Sequence, residues 1–277
     1  MTAPVASSAD PGPEPVLDWL PLDRLVVDDR YQRDASRTGS RGIINKICRE
    51  FRWRAFQPPT VAPLGDGTFA IIDGQHRVEA ARKHPLIDRV PCYVVEADDL
   101  ADQADGFVRI NADRRQVPGT VLHQARARAG DGDALQLEKV CHAAGVRIAR
   151  YRPAHGCEPA ETVAVGSIRK LIFNYGEAPV REALETIRAA HPETRDALRA
   201  PLIKALAVFH ASYRRADGFD RERLIRVVGE QSPLDLVETG RTSKKMFGGS
   251  ASAAIVAALR HAYNRNLGAA KRLPEAP

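Results

Sequence analysis

The sequence predicts an α+β protein in which a small mixed-sheet domain precedes an all-α domain. Short apolar runs separated by turn residues fill the first part of the chain, and Gly65-Asp66-Gly67 lies between two of them like a β-hairpin turn. The run 69–72 continues through Gly74 into a segment with helical spacing. From about Leu100 onward, strand signals nearly vanish and helical periodicity dominates.

The chain of 277 residues is long enough for two domains, and its 44% hydrophobic content suffices for a buried core. We expect a flexible leader at 1–15, a phosphate- or nucleotide-binding domain at 16–118, a helical domain at 119–267 and a basic flexible tail at 268–277. The leader lacks the basic start and apolar centre of a signal peptide, and no stretch resembles a membrane span. These features predict a cytoplasmic protein.

The first domain is expected to alternate strands and helices. A strand at 16–27 enters a turn at Pro21, and apolar residues recur at helical spacing from Ile43 to Phe51. Further strands are expected at 60–64, 68–72 and 90–95.

The second domain is expected to be helical throughout. The predicted helices lie at 135–145, 168–176, 180–187, 202–213, 221–228 and 251–263. A helix-turn-helix is disfavoured after Gly145, because Pro153 and the run 155–159 interrupt the second helix that it would need.

Composition narrows the class of partner. A net charge of +6 and a pI near 9.3 weakly favour an acidic partner such as DNA or RNA. The four cysteines lie far apart without a Cys-x-x-Cys pair, which argues against a zinc site and a disulfide framework. We expect them to be reduced and structural.

The junction at Gly74 has the features of a phosphate site. A helix start offers unpaired backbone N–H groups and a partial positive charge. Gly74 permits close approach of a ligand, and Arg77 can bind two oxygens of one phosphate. The alternative is an ordinary strand-to-helix turn in which Arg77 pairs with Asp73 or Glu79.

Three segments at this point resemble a known superfamily. Asp73-Gly74-Gln75-His76-Arg77, followed by Ala80-Ala81, is similar to the second motif of ParB/sulfiredoxin proteins, in which a Gly-x-x-Arg turn opens a helix and holds nucleotide phosphates. The segment 27–33, which ends in Tyr31-Gln32-Arg33, resembles the first box of that superfamily. Asn111-Ala112-Asp113-Arg114 resembles its Asn-x-x-Arg segment, so the resemblance extends over roughly residues 18–120.

The resemblance implies a ParB-like, nucleotide-responsive DNA-binding or regulatory protein. Its cofactor would be a nucleoside triphosphate, CTP or ATP, with Mg²⁺ as a candidate ion, and its partner would be DNA. Apolar stripes on the late helices make a homodimer a further expectation. The residues that the resemblance assigns to the nucleotide are Gly74, Gln75, His76, Arg77, Arg33, Asn111 and Arg114.

Two departures from the superfamily bear on catalysis. Gln75 stands where partition proteins usually carry glutamate, and Ile110 replaces the glutamate that commonly precedes the asparagine. At most slow hydrolysis of a nucleoside triphosphate or nucleic acid is expected, and no metal ligand is assigned. Gln75 also occupies the position of the sulfiredoxin cysteine, so the sulfiredoxin reaction is excluded.

Two other functions stay open at this point. One is a ParB-fold enzyme acting on phosphate esters, as a nuclease, NTPase or small-molecule kinase, with Asp73 and His76 as catalytic candidates. The other is an interaction module with a degenerate nucleotide pocket.

A basic segment near the end of the chain is the candidate nucleic-acid contact. Arg241, Lys244 and Lys245 lie between Gly240 and Gly248-Gly249, which predicts a flexible loop able to follow a phosphate backbone. The alternative is a solvated basic loop without a ligand.

Overall fold

The computed structural model describes residues 13–27, 38–96, 102, 110 and 117–275. The chain divides into two compact units, Met1–Arg115 and Gln116–Pro277. Within the described residues, no helix combines the length and the apolar character needed to cross a membrane.

The first unit is built on a mixed sheet, as the sequence predicts. Its described strands are β1 (Val16–Pro21), β2 (Leu25–Val26), β3 (Thr60–Pro63), β4 (Phe69–Asp73) and β5 (Arg89–Val94). They lie in the order β1-β5-β3-β4-β2, with antiparallel β1–β5 and β3–β4 pairs and parallel β2–β4 and β3–β5 pairs. Short 3₁₀ turns follow β1 at Leu22–Arg24 and precede β3 at Trp53–Ala55.

The hairpin between β3 and β4 has the predicted turn. The amide of Leu64 donates to the carbonyl of Thr68 at 2.9 Å, and Oδ1 of Asp66 accepts from the Thr68 amide at 2.9 Å. Gly65 and Gly67 both have positive φ, at 82° and 86°. Residues other than glycine adopt this backbone conformation only with strain.

The first unit has two described helices of at least two turns, α1 (Thr38–Arg49) and α2 (Gln75–Arg82). Ile44 of α1 and Ala80 of α2 are buried against each other, so the predicted apolar stripe does pack. The stripe is shorter than expected, because Ile43 is exposed and Phe51 lies beyond the end of α1. The sheet core contains Leu25, Val61, Ile71, Val78 and Val90, among others.

The second unit is helical apart from two short strands. Its described helices are α3 (Gly119–Arg128), α4 (Gly132–Ala143), α5 (Val165–Tyr175), α6 (Glu177–Ala190), α7 (Ala200–Tyr213), α8 (Arg221–Gly229), α9 (Pro233–Phe247) and α10 (Ala251–Asn264). The strands β6 (Arg147–Ile148) and β7 (Glu161–Thr162) pair in parallel. Because β6 follows α4, the second helix of a helix-turn-helix is absent at 146–151, as expected.

One core holds the helices of the second unit together. Fully buried side chains from α6, α7 and α10 meet in it, including Leu184, Ile187, Phe209 and Tyr263. Burying an aliphatic or aromatic side chain of this size contributes about 1.5–3 kcal/mol. The phenol of Tyr263 also accepts from the Asp220 amide at 2.6 Å, which joins α10 to the start of α8.

The predicted basic loop at 241–245 is wrong, because these residues lie in α9. Gly240 is inside this helix, where an added Cβ would lie 2.6 Å from the carbonyl oxygen of Ala251 and 2.7 Å from Cγ1 of Ile255. Glycine is therefore required for the close packing of α9 on α10 rather than for a loop.

The predicted flexible tail is also wrong as far as residue 275. Leu273 is buried. Nδ2 of Asn264 donates to the carbonyl of Leu273 at 2.9 Å, and Oδ1 of Asn264 accepts from the Leu273 amide at 2.8 Å. The hydroxyl of Tyr213 donates to the carbonyl of Pro274 at 3.0 Å. The basic composition of this segment predicted a solvated tail. In the structure, the buried side chain of Leu273 and its backbone bonds to Asn264 attach the segment to the core.

Candidate functional site

The turn that joins β4 to α2 is the predicted phosphate site, and its strand–glycine–helix order is confirmed. Gly74 is the N-cap of α2, with φ 97° and ψ 15°, and no side chain caps the helix. An added Cβ would lie 2.8 Å from Nη2 of Arg77 and 2.9 Å from Cβ of Pro59. Both the backbone conformation and the crowding therefore require glycine.

The backbone of this turn presents donors that its N-cap residue, a glycine, does not cap with a side chain. The carbonyl of Gly74 accepts from the amides of Arg77 and Val78 at 2.8 and 3.1 Å, which starts the helix. The first amides of an α-helix have no intrahelical acceptor, and the helix dipole makes this end partially positive. The geometry is suited to an anion such as a phosphate group.

Arg77 makes the contacts that the sequence offered as its structural alternative. Its Nη2 donates to Oδ2 of Asp73 at 2.7 Å, and its Nη1 donates to the carbonyl of Gln57 at 2.6 Å. The side chains of Arg77 and Asp73 are each 17% exposed. The guanidinium thus connects α2 to the end of β4 and to the segment before β3. A contact between Arg77 and a phosphate stays a prediction.

His76 differs from Arg77, because one of its ring nitrogens lacks such a contact among the described residues. Its Nε2 is buried and has no hydrogen-bond partner among the described residues. Leaving a buried polar atom unpaired costs about 1–3 kcal/mol. A ligand oxygen that reached this nitrogen would therefore gain a contact that the described part of the protein does not supply.

The two catalytic candidates, Asp73 and His76, belong to the same turn, but Asp73 is already bound by Arg77. Within the described residues, no three His, Cys, Asp or Glu side chains form a group able to hold a metal ion. Arg33, Asn111 and Arg114 lie outside the described residues, so their approach to Gly74 stays a prediction.

Sequence reasoning gave no role to Arg82, at the end of α2. Its Nη2 donates to the carbonyls of Leu22, at 3.1 Å, and of Leu25. Its Nη1 pairs with Glu79, three residues earlier on the same helix. Arg82 thereby fixes α2 against β2, and the Glu79 spacing was the one local signal for it.

An aromatic cluster beside Arg77 was also missed. Phe51 and Trp53 have ring centroids 5.0 Å apart, and Trp53 and Trp19 are 5.5 Å apart. A cleft of about 310 Å³ next to this cluster is lined by Phe51, Phe56, Lys46, Arg52 and Arg77, among others. The aromatic content of 6% gave little sign of a stacking surface. Phe51, Trp53 and Phe56 are close in sequence, but Trp19 joins them only in the fold.

The candidate nucleic-acid residues lie on the second half of α9. Lys244 and Lys245 are exposed in its last turn, where cations also stabilise the helix dipole. Nη1 of Arg241 donates to Oε1 of Glu238 at 2.6 Å. A contact of these three side chains with DNA stays a prediction.

Residues 26–274 match the sequence profile of a family described as "Family of unknown function (DUF6551)". The chain belongs to this family. No curated protein matches the sequence.

Two solved structures of the C-terminally truncated chromosome-partitioning protein ParB from Caulobacter crescentus show a low similarity to the chain. The structure complexed with CTP-γ-S has 17% identity and a TM-score of 0.34, with 89% of this chain and 98% of that chain covered. The structure complexed to the centromeric parS site has 17% identity and a TM-score of 0.26, with 88% and 99% covered.

Proposed function

We propose that the chain is a ParB-like, nucleotide-responsive DNA-binding or regulatory protein. In this proposal the turn at Gly74–Arg77 binds the phosphates of a nucleoside triphosphate, CTP or ATP, with Mg²⁺ as the accompanying ion. The helical unit binds DNA, and nucleotide binding changes its affinity for DNA.

The observation that carries the proposal is the start of α2. A left-handed glycine, an uncapped helix start and a buried histidine nitrogen without a described partner occur in one turn. Each fits a ligand with several acceptor oxygens. The ParB/sulfiredoxin resemblance of the motif, with the first box and the Asn-x-x-Arg segment in the same order, supports a nucleotide as that ligand.

The overall charge of +6 supports DNA as the second partner, because cations gain affinity by releasing counterions from a phosphate backbone. Lys244 and Lys245 are exposed, and no ion pair to either occurs within the described part of the chain. The helical unit therefore offers cations that no described carboxylate neutralises.

Calorimetry with CTP and with ATP, each in the presence of Mg²⁺, tests the nucleotide part. We expect Arg77→Gln to weaken binding about ten-fold to a hundred-fold, because a charge-assisted contact is worth about 1.5–3 kcal/mol. Arg54→Gln is the matched control, since Arg54 is an exposed arginine of the same unit. Thermal unfolding of both variants checks that they are folded.

The proposal fails if the folded wild-type chain binds neither nucleotide. It also fails if Arg77→Gln and Arg54→Gln bind with equal affinity. A response of DNA affinity to the bound nucleotide, measured by anisotropy, is required for the regulatory part.

A further inference from the structure

The helical unit contains a cleft of about 510 Å³ that the sequence did not predict. Its walls come from the starts of α5 and α7, from the connection between β6 and β7, and from α9. We call it the arginine cleft, because Arg152, Arg199 and Arg241 line it. The buried residues Cys157, Leu198 and Val237 also line it.

Asp196 organises two of these arginines. Its Oδ2 accepts from Nη2 of Arg152 at 2.5 Å and from Nη2 of Arg199 at 3.3 Å, while its Oδ1 accepts from the Cys157 amide at 2.9 Å. An added Cβ at Gly156 would lie 2.6 Å from Oδ2 of Asp196, so only glycine fits beside the carboxylate.

The charge of Asp196 is stabilised in this position. Burial acts to raise the pKa of its carboxyl, but the Cys157 amide and the two guanidinium groups outweigh burial and lower the pKa. The carboxylate is therefore ionised at neutral pH and holds two cations at the edge of a cleft.

The three arginines have more donors than the protein uses. A guanidinium has five N–H donors. Among the described residues, Arg152 contacts Asp196 through one nitrogen, Arg199 contacts it through two, and Arg241 contacts Glu238 through one. The other donors of these side chains have no acceptor in the described part of the chain. Such groups match the oxygens of a phosphate, which arginine binds in a bidentate manner.

The backbone adds positive potential to the same space. The first turns of α5 and α7 border the cleft, at Gly166 and Ser167 and at Ala200 and Pro201, and neither helix has a side-chain cap. The arginines outnumber the two carboxylates that line the cleft, Asp196 and Glu161. Glu161 is itself paired with Arg147 at 3.3 Å.

We infer that the arginine cleft binds a phosphate group through Arg152, Arg199 and Arg241. The phosphate belongs either to a nucleic-acid backbone or to a small phosphate compound, since both present the same oxygens. This site lies in the helical unit and does not depend on the nucleotide site proposed at Gly74. If the source is DNA, the inference also places a DNA contact on the helical unit.

The test replaces two cleft arginines and keeps two of the contacts of Asp196, so that the variant is expected to fold. In the Arg152→Gln/Arg241→Gln protein, Arg199 and the Cys157 amide still satisfy Asp196. The matched control is Arg221→Gln/Arg260→Gln, because these arginines of the same unit also pair with carboxylates, Glu185 at 2.7 Å and Glu275 at 3.0 Å. Circular dichroism compares the folding of both proteins with that of the wild type.

Each full-length protein is titrated with a short labelled DNA duplex by anisotropy over a salt series, and with inorganic pyrophosphate by calorimetry. If the source is DNA, the cleft variant binds the duplex at least ten-fold more weakly than the control. Its log–log salt slope is also smaller by about two, since each lost phosphate contact removes about 0.9. If the source is a small phosphate compound, pyrophosphate binding is lost and DNA binding is unchanged.

Either selective loss supports the inference. Equal binding by the cleft and control variants to both probes overturns it, as does a wild-type protein that binds neither probe. Pyrophosphate binding that is lost in Arg77→Gln but kept in the cleft variant belongs to the Gly74 turn. Together with unchanged DNA binding, that result overturns the cleft and leaves the nucleotide proposal standing.

Discussion

The Gly74 turn and the arginine cleft both suit a phosphate group, but they are built in opposite ways. The turn is a contiguous motif in which backbone amides are the donors, and its arginine is held by Asp73 and the carbonyl of Gln57. The cleft is assembled from residues nearly ninety positions apart, and its carboxylate orients guanidinium groups that keep further donors. A sequence motif therefore indicates where backbone amides can bind a phosphate. Whether an arginine can do so depends on which neighbouring groups in the fold already accept its hydrogen bonds.

The two units also differ in their expected response to acid. His210 of the second unit is fully buried, and burial lowers its pKa from 6.5 to about 4, against the raising effect of Glu182. The unfolded chain binds this proton more readily, so stability is lost as the pH falls from about 6.5 toward about 4. This pKa difference between the unfolded and folded states corresponds to a loss of roughly 3 kcal/mol in the free energy of unfolding.

This difference predicts that acid unfolds the second unit first. Both tryptophans, Trp19 and Trp53, lie in the first unit, so tryptophan fluorescence reports on that unit alone. Far-UV circular dichroism reports mainly on the helices of the second unit. We expect the dichroism to change at a higher pH than the fluorescence, and His210→Gln to reduce the gap. Coincident transitions would contradict the prediction.

Replacing Gly74 should separate backbone strain from crowding at the turn. Gly74→Ala is expected to destabilise the first unit by about 1–3 kcal/mol through its left-handed backbone, and further through the contacts with Arg77 and Pro59. Gly65→Ala is the control, since Gly65 has φ 82° but nothing within 4 Å of an added Cβ. Urea unfolding followed by tryptophan fluorescence measures both. Equal losses would show that crowding at Gly74 has no energetic effect.

Catalysis at the turn is tested by Gln75→Glu. We expect slow phosphate release from the wild type, because Gln75 offers Mg²⁺ no negative charge, and faster release from Gln75→Glu. The assay measures phosphate released with Mg²⁺, with and without DNA. Rapid wild-type turnover that Asp73→Ala or His76→Ala abolishes, with nucleotide binding intact, would make this protein an enzyme.

The smallest expected effect concerns the end of α9. Neutralising Lys244 and Lys245 together should lower the salt slope of DNA binding by up to about two, with a modest loss of affinity at low salt. Anisotropy over a salt series measures the slope. An unchanged slope would remove the end of α9 from the DNA interface and leave the arginine cleft as the remaining candidate.

The elements that local pattern predicts well are those whose signals lie within a few residues. The Gly65-Asp66-Gly67 hairpin turn, the passage from β4 through Gly74 into α2, and the six helices predicted in the second unit are confirmed, whereas α3 and α9 were not predicted. Gly240 and the basic residues after it suggested a loop, but they lie in α9, where Gly240 permits close packing on Ala251 and Ile255 of α10. That packing is not visible in the local sequence.

The sequence by itself determined the α+β class, the order of the main elements and the glycine at the phosphate-type turn, because periodicity and turn chemistry are local properties. Only the tertiary structure decided that Arg77 is bound to Asp73 and Gln57, and that Arg152, Arg199 and Arg241 share one cleft. It also decided that Leu273 attaches the basic end of the chain to the core. Apart from the local pair of Asp73 and Arg77, these outcomes depend on contacts between residues separated in sequence, and such contacts leave no periodic signal along the chain.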